Sequence, residues 1–468
     1  MKESRRILFL NPPGKKIYIR DYYCSKVSKA YYLPQPVDLL IQSSFFSSEY
    51  EVMVLDCIAE KISIEEALAK IKHFNPGYIV GQIGSVSLIE DSIFYESVRN
   101  QNPNIVIACS GDALLEKYAE KFTRYQWLNV IITNFFIDGF KQFIEDKDSA
   151  EGIVYVKDEE LIVKDSKRSK PLDMGIPQQH LFKGNYRMPF ANALPMATVL
   201  TNYACPYPCT FCIMSTLPYT ARTAKSIITE LIYLKEKGYK FIYFSDQTFY
   251  QSKAITTEVL EWMIAEDYGI NWMCFSRVDV VDEKQLKLMK AAGCNLIMFG
   301  VEWAEDALLE HYKKHYTTDQ IKTTFALSKK IGIQRLGTFL IGVPGQSKES
   351  ILNTIEFAKT IDADYASFNV AVPRSNTSFR EEALADGLID DTLEVMDQSG
   401  NEVTIGTGEL SRDELQKLKN KAYRSFYFRP KYILKRMARL SNFTEFKIHA
   451  IEGLYVLKGL FTASKTKN

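Results

Sequence analysis

The segment that decides the fold reads Thr201-Asn-Tyr-Ala-Cys205-Pro-Tyr-Pro-Cys209-Thr-Phe-Cys212, with three cysteines within eight residues. Pro206 and Pro208 exclude a regular helix here, because proline lacks a backbone N–H and its ring clashes with the preceding turn. The chain must therefore run as a loop that can direct three sulfurs inward. Thiolates are soft ligands that favour iron–sulfur clusters, zinc or copper(I).

Two kinds of metal centre fit this cysteine segment differently. A structural zinc site takes four ligands, and no fourth cysteine or histidine lies nearby in the sequence. Three thiolates on a four-iron cluster leave one iron open, as a cluster that binds a substrate requires. A zinc site completed by a distant residue, or a chance grouping, is the alternative. The other five cysteines are interpreted as small core residues, since disulfides are rare in a large chain without a signal peptide.

The region that follows alternates short apolar strands with amphipathic helices. Six such units favour a barrel or partial barrel, whose active site lies at the carboxyl ends of the strands. The cysteine segment follows the first of these strands and so falls on the catalytic face. The predicted strands are Ala197–Asn202, Phe241–Asp246, Asn271–Arg277, Asn295–Glu302, Gln334–Gly342 and Tyr365–Val372.

The region before the cysteine segment shows the same alternation on a smaller scale. It predicts a doubly wound, Rossmann-like domain with a parallel sheet covered on both faces, and its ligand should lie at the carboxyl ends of the strands. The predicted strands are Ile7–Asn11, Val52–Asp56, Tyr78–Gly84, Ile105–Gly111 and Val130–Thr133.

These patterns divide the chain into four parts. Residues 1–147 form the N-terminal α/β domain, 148–195 a linker rich in charge and proline, 196–395 the partial barrel and 396–468 a helical C-terminal segment. In that last part, Ala422–Arg436 mixes aromatic and basic residues at helical spacing. It either packs across the barrel or grips a membrane surface or an acidic partner.

Composition narrows the partners and the location. Lys+Arg 58 against Asp+Glu 57 gives a net charge of +1, which offers no field for a nucleic-acid backbone. The N-terminus reads as a first strand and not as a signal peptide. No window is apolar enough to cross a bilayer. We therefore expect a cytoplasmic protein that binds neither nucleic acid nor the membrane interior.

The spacing C-x3-C-x2-C, with Phe211 before the last cysteine, resembles the signature of the radical S-adenosylmethionine (SAM) superfamily. The resemblance implies that Cys205, Cys209 and Cys212 bind a [4Fe–4S] cluster whose open iron chelates SAM. One electron then breaks the S–C5′ bond and gives a 5′-deoxyadenosyl radical. An external donor such as flavodoxin or ferredoxin would supply that electron.

Further residues at strand ends resemble SAM contacts of the same family. Each has an ordinary structural alternative: a helix cap or turn at the second strand, an ion pair at the third, and a bare turn after the fifth. Trp303, after the fourth strand, stands where the family commonly has a small residue and is either core or a substrate wall. The residues implied to bind SAM are Phe211, Asp246, Gln247, Arg277, Glu302 and Gly342.

The N-terminal domain resembles the cobalamin-binding domain of class B radical SAM methylases. Small residues at two neighbouring strand ends would let a flat corrin approach the backbone closely. The family's later Gly-Glu turn is absent, since Thr133-Asn134-Phe135-Phe136 stands there, and a scaffold that has lost its corrin is the alternative. The residues implied to contact cobalamin are Gly84, Ser85, Ser87, Ser110 and Gly111.

These resemblances imply cobalamin-dependent methyl transfer to an unactivated carbon or phosphorus of a small metabolite, natural product or lipid. A non-methylating radical rearrangement, cyclisation or dehydrogenation is the alternative within the same class. A sensor or scaffold that binds SAM or cobalamin without turnover is the alternative from another class.

Overall fold

The N-terminal half is built on a seven-stranded sheet in the order β4-β1-β5-β6-β7-β8-β9. A computed structural model describes residues 5–28, 32–46, 49–166, 170–394, 397 and 403–437. The first five strands of the sheet are parallel and carry the apolar runs of the sequence, which confirms the Rossmann-like prediction. The strands of this half are β1 (Arg6–Asn11), β2 (Tyr18–Ile19), β3 (Lys26–Val27), β4 (Glu51–Asp56), β5 (Tyr78–Gln82), β6 (Val106–Ser110), β7 (Val130–Ile132), β8 (Ile153–Lys157) and β9 (Glu160–Lys164).

Helices cover both faces of this sheet because a parallel sheet buries two apolar faces. The helix α3 begins after the cap residue Ser63, whose side chain accepts a hydrogen bond from the Glu66 N–H. The helices are α1 (Val37–Ser43), α2 (Cys57–Glu60), α3 (Ile64–Phe74), α4 (Leu88–Gln101), α5 (Tyr118–Arg124) and α6 (Gly139–Glu145).

The segment 148–195 contains more regular structure than its composition predicted. The strands β8 and β9 form an antiparallel hairpin, and β8 also pairs antiparallel with β7. Charged residues on β9 lie at the edge of the sheet, where an exposed strand tolerates them. The first part of the predicted linker therefore extends the N-terminal sheet.

The second half contains a six-stranded parallel sheet in the order β10-β13-β14-β15-β16-β17. This confirms the partial barrel. The short strands β11 and β12 pair separately from this sheet. The strands of this half are β10 (Met196–Val199), β11 (Asn202–Tyr203), β12 (Thr220–Ala221), β13 (Phe241–Phe244), β14 (Asn271–Arg277), β15 (Cys294–Glu302), β16 (Gln334–Ile341) and β17 (Tyr365–Val370).

Helices pack on the outside of the barrel sheet. Three of them begin with capping boxes, formed by Asp282 with Gln285, by Thr317 with Gln320 and by Ser411 with Glu414. The helices are α7 (Ala224–Glu236), α8 (Lys253–Ala265), α9 (Glu283–Ala291), α10 (Asp306–His311), α11 (Thr318–Ile331), α12 (Lys348–Thr360), α13 (Ser378–Ala385), α14 (Arg412–Tyr427) and α15 (Pro430–Met437).

The aromatic and basic C-terminal segment packs on the barrel. Ala422 and Phe426 of α14 are buried, and the hydroxyl of Tyr427 donates to the Ala366 carbonyl of β17 at 2.7 Å. The arrangement agrees with the packing interpretation for the part of the segment that the structure describes. No helix among the described residues has the length and hydropathy needed to cross a membrane.

The two halves meet at the carboxyl ends of both sheets. The rings of Tyr22 and Tyr23, between β2 and β3, lie 6.1 and 6.0 Å from the ring of Tyr203 on β11. One hydrophobic cluster continues from the N-terminal sheet to Ile213 and Met214 of the cysteine segment. The two edges predicted to bind ligands therefore share one junction.

Candidate active site

The loop after β10 brings the three cysteines together at the carboxyl end of the barrel. Its base is closed by the pairing of β11 with β12, and Ala204 takes a left-handed conformation with φ 64°. The Cys212 N–H donates to the Cys209 carbonyl at 3.1 Å, and the Cys205 N–H to the Met214 carbonyl at 3.3 Å. All three cysteines are free thiols.

Two side chains from neighbouring strand ends reach the sulfurs. Arg277 Nη1 donates to Cys209 Sγ at 3.5 Å, and Thr248 Oγ1 lies 3.6 Å from Cys205 Sγ. Burial and the neighbouring Cys209 raise the pKa of the Cys212 thiol. A thiol in this environment ionises when a cation binds it. The donor set suits a metal centre built on thiolates.

The separation of the sulfurs bears on the kind of metal centre that the loop could hold. In the described parts of the chain, no group of three or more His, Cys, Asp or Glu side chains is arranged to hold one metal ion. Each thiolate of an iron–sulfur cluster binds its own iron, so the three sulfurs need not converge on one point. Separated sulfurs are thus compatible with a cluster on these three cysteines.

The family resemblance implies that Arg277 binds SAM, but in the structure Arg277 contacts and supports the cysteine segment. Its Nε and Nη2 donate to the two carboxylate oxygens of Asp279 at 2.9 and 2.8 Å. Nη2 also donates to the Lys314 carbonyl at 2.5 Å, and the guanidinium lies 3.7 Å from the centre of the Tyr207 ring. Together with its bond to Cys209, these contacts make Arg277 a support for the loop.

Asp246 also supports the loop, from the end of β13. It is fully buried and accepts hydrogen bonds from the Thr201 N–H and hydroxyl at 2.7 and 2.9 Å and from the Asn202 N–H at 3.0 Å. Burial raises the pKa of Asp246 to about 7. The adjacent Gln247 is exposed. Asp246 thus fixes the start of the cysteine loop and points away from solvent.

Glu302 lies at the end of β15 in a charged group that the sequence did not reveal. Its Oε1 accepts a hydrogen bond from Lys314 Nζ at 3.0 Å, and Lys314 is buried. The hydroxyl of Tyr316 donates to the Gly300 carbonyl at 2.7 Å. Glu302 therefore faces the barrel mouth as half of an ion pair.

Phe211 and Trp303 form an aromatic wall behind the cysteine segment. Trp303 is fully buried and stacks on Tyr312 with 5.0 Å between ring centres. Phe211 meets the edge of Trp303 at 5.5 Å. The structure agrees with the core interpretation of Trp303.

Gly342 is explained by the turn that ends β16. Its φ of +85° is one that side chains disfavour. Its N–H donates to Gln346 Oε1 at 2.7 Å, and a Cβ here would lie 3.1 Å from Leu415 of α14. The local turn and the packing of α14 account for this glycine.

The barrel interior is closed at one end and open at the other. At the amino ends of the strands, inward residues such as Met273, Leu296 and Leu336 pack into one apolar cluster. Toward the carboxyl ends, the inward positions are half-buried, whereas their outward neighbours are buried against helices. The half-buried residues are Phe275, Gly300, Glu302, Thr338, Ser367 and Asn369. The barrel is therefore a cup, and most of its wall near the cysteines is polar.

The residues implied to contact cobalamin share one edge of the N-terminal sheet but hydrogen-bond within the chain. Ser85 donates through its N–H to Asp112 Oδ1 at 2.9 Å, and Ser110 donates to Asp38 Oδ2 at 2.6 Å. Ser87 donates to Asp91 at 2.6 Å. The hydrogen-bonding groups of these serines are thus directed to protein atoms.

The two glycines at this edge are small because of the chain's own packing. A Cβ at Gly84 would lie 2.9 Å from the Cβ of Ser25, and one at Gly111, where φ is +147°, would overlap the Ile83 carbonyl oxygen. The packing and hydrogen bonds of these glycines and serines are explained without a corrin, and we give these residues no role in the reaction.

Comparison with known proteins defines the class. Residues 199–358 match the family model described as the radical SAM superfamily. The match begins at the end of β10 and spans the cysteine segment and the strands through β16. This region of the chain is therefore a radical SAM domain.

Comparisons over the whole chain place it more closely. It is 29% identical over 415 residues to an uncharacterized methyltransferase of Pyrococcus horikoshii, covering 86% of this chain and 89% of that protein. It is 23% identical to an anaerobic magnesium-protoporphyrin IX monomethyl ester cyclase of Rubrivivax gelatinosus, covering 82% and 71%.

Solved structures share the fold of both halves. The cobalamin-dependent SAM radical enzyme OxsB matches with a TM-score of 0.70 at 14% identity, over 98% of this chain and 72% of that one. The radical SAM methyltransferase TsrM of Kitasatospora setae matches with a TM-score of 0.64 at 16% identity, over 82% and 75%. The fold of this chain is thus that of cobalamin-dependent radical SAM enzymes.

Proposed function

We propose that this protein is a cobalamin-dependent radical SAM methyltransferase. It would use a [4Fe–4S] cluster on Cys205, Cys209 and Cys212 to cleave SAM and would methylate an unactivated carbon or phosphorus of a small metabolite, natural product or lipid. The observation that carries the proposal is a three-cysteine loop at the mouth of a polar, open cup, within the region that matches the superfamily.

The cluster and SAM, when bound, supply an electron and a cleavable S–C5′ bond, which together give the 5′-deoxyadenosyl radical. The protein's own task is to hold the three thiolates and to exclude water. Arg277 and Thr248 are placed to donate hydrogen bonds to two of the sulfurs. Donors of this kind tune the potential of an iron–sulfur cluster.

The cup offers the groups that SAM requires. Glu302 and Lys314 form a charge pair at its rim, and Thr338 and Asn369 line its half-buried wall. The apolar cluster at the closed end keeps water out from below. We infer that SAM lies in the cup between this polar wall and the cysteine loop.

Two observations support cobalamin as the second cofactor. OxsB and TsrM, which were solved with cobalamin bound, share the fold over most of this chain. The carboxyl edge of the N-terminal sheet faces the cysteine loop across the Tyr23–Tyr203 contact, so a ligand at this edge would lie beside the barrel mouth. Support for methylation comes from the methyltransferase of Pyrococcus horikoshii.

The test uses anaerobically purified protein, dithionite and SAM labelled in its methyl group. We expect bound cobalamin, formation of 5′-deoxyadenosine and, with a competent substrate, a product that carries the label. Unlabelled product alongside 5′-deoxyadenosine would favour the radical cyclisation suggested by the cyclase of Rubrivivax gelatinosus. A full cluster without any 5′-deoxyadenosine would favour a sensor.

A further inference from the structure

Arg374 lies at the junction of the two halves. It follows β17 at the carboxyl edge of the barrel, and only 4% of the residue is exposed. Its Nη1 donates to Asp112 Oδ2 at 2.9 Å, and Asp112 follows β6 at the carboxyl edge of the N-terminal sheet. This ion pair therefore connects the two edges that carry the proposed cofactor sites.

The orientation of Arg374 is fixed by its partner. The Asp112 carboxylate also accepts hydrogen bonds from the Ser25 N–H and hydroxyl, both at 2.9 Å, and from the Ser85 N–H at 2.9 Å. Two segments besides that of Arg374 thus hold this carboxylate in place. Because Nη1 is committed to Asp112, the opposite edge of the guanidinium points in a defined direction.

That opposite edge has no hydrogen-bond partner in the part of the chain that the structure describes. Nε and Nη2 of Arg374 are buried and make no hydrogen bond with the described residues. The Nε–H and one Nη2–H lie side by side on the planar guanidinium, which is the geometry that holds a carboxylate or a phosphate by two bonds. Burying two such donors is costly unless a ligand completes them.

The free edge belongs to the active-site junction. Cys24 interacts electrostatically with both Arg374 and Cys212, and it packs against the same hydrophobic cluster as Cys205 and Cys212. Although burial opposes the charged guanidinium, Cys24 and Asp112 raise the pKa of Arg374, so it stays protonated. Arg374 is thus a permanent cation close to the cysteine loop.

Two other charged groups interact electrostatically with Arg374. Lys26 on β3 adds a second cation, with its Nζ 3.9 Å from the Asp21 carboxylate. Asp397 contributes an opposing charge to Arg374 without bonding to Nε or Nη2. An anion that binds the free edge would therefore compete with Asp397 but would gain both unused donors.

We propose that the Nε–Nη2 edge of Arg374 binds an oxyanion of the substrate, a carboxylate or a phosphate, and so positions the substrate between the two sheets. The inference rests on the proposed function for its assignment to the substrate, and it narrows the substrates to anionic ones. It predicts that neutral analogues lacking the oxyanion are poor substrates.

The test is equilibrium binding and does not need turnover. The thermal unfolding midpoint of anaerobically purified protein is titrated with inorganic phosphate, with acetate and with SAM, at ionic strength held constant with sodium chloride. Arg374→Lys keeps the charge but loses the fork. We expect it to weaken phosphate or acetate binding at least about tenfold and to leave SAM binding unchanged.

Matched variants separate this effect from damage to the fold. Arg335→Lys alters another buried arginine, which pairs with Asp364 at the amino end of the barrel, and should bind all three probes as the wild type does. Asp397→Asn keeps Arg374 on its partner Asp112 and removes the competing charge, so phosphate should bind at least as tightly.

Three results would overturn the proposal. They are equal phosphate and acetate binding by wild type and Arg374→Lys, a loss of SAM binding alone in Arg374→Lys, and weaker phosphate binding by Asp397→Asn in a protein of unchanged unfolding midpoint. The second result would assign the fork to the carboxylate of SAM. None of these measurements depends on methyl transfer, so failure of the proposed function is recognised separately.

Discussion

The cysteine loop and the carboxyl edge of the N-terminal sheet lie at the same junction, but they use their polar groups differently. In the loop, Arg277 and Thr248 approach the sulfurs of Cys209 and Cys205 as partners. At the sheet edge, Ser85 and Ser110 bond to aspartates of their own chain. A set of metal ligands is identified by its chemistry, whereas small residues at a strand end serve either a ligand or the protein's own packing.

The largest expected effect is the loss of the cluster, which should follow from replacing a cysteine of the loop but not a cysteine elsewhere in the chain. Replacing Cys205, Cys209 or Cys212 with alanine should abolish 5′-deoxyadenosine formation and the brown absorbance near about 400 nm that thiolate-ligated clusters show. Cys294→Ala, at the buried amino end of β15, is the matched control and should retain both. Loss of the cluster in the control, or its retention in a loop variant, would contradict the assignment.

The next effect tests whether Arg277 supports the loop or binds SAM. Arg277→Met removes the donor to Cys209 Sγ and the bonds to Asp279 and Lys314. We expect SAM cleavage to fall about 10- to 100-fold, as for other residues that support metal ligands. The reduction potential of the cluster should also shift, measured by a dithionite titration. A higher KM for SAM at an unchanged potential would instead make Arg277 a SAM contact.

A smaller effect on stability tests why glycine stands at the carboxyl edge of the N-terminal sheet. Gly111→Ala should lower the free energy of unfolding by about 3 kcal/mol or more, because the new Cβ meets the Ile83 carbonyl and φ is unfavourable. Gly238→Ala is the control, since its φ is +80° with nothing within 4 Å, and should cost about 1–2 kcal/mol. A loss seen with Gly111→Ala only in cobalamin-loaded protein would make this glycine a corrin contact.

The most gradual effect is a change of stability with pH, and it compares one buried carboxyl group from each region. Burial raises the pKa of Asp38, at the N-terminal edge, and of Asp246, beneath the loop, to about 7. Between about pH 4 and pH 7 the folded chain keeps protons that the unfolded chain has released. The free energy of unfolding should therefore fall as the pH rises, by up to about 1.4 kcal/mol per pH unit for each group.

Denaturant unfolding across this pH range checks the comparison. Asp38→Asn and Asp246→Asn should each flatten the slope, since asparagine does not titrate. If neither variant changes the slope, these carboxyl groups do not hold their protons in the folded protein.

Much of the fold could be predicted because strand and helix periods are local properties. Asn271–Arg277 was predicted with the observed bounds, since its apolar residues are consecutive and its flanks are polar. The hairpin β8–β9 was missed because an exposed edge strand such as Glu160–Lys164 carries charges, which read as a linker.

In the site, the cysteine ligands could be predicted most directly, because binding one cluster requires three cysteines at a short, fixed spacing in the sequence. The roles of Lys314, Thr248 and Tyr316 were missed, because they reach the site through tertiary contacts that no sequence spacing encodes. Asp246 was recognised at its strand end, but its burial beneath Thr201 depends on the packing of two strands. Whether Ser85 faces a ligand or Asp112 is likewise decided in three dimensions.

The central claim is that three thiolates hold a cluster with one iron open to SAM. Electron paramagnetic resonance of the dithionite-reduced, anaerobically purified protein tests it directly, with spectra recorded before and after SAM is added. The account predicts the signal of a reduced [4Fe–4S] cluster that changes when SAM binds the open iron. Stoichiometric zinc without such a signal, or a cluster signal that SAM leaves unchanged, would contradict it.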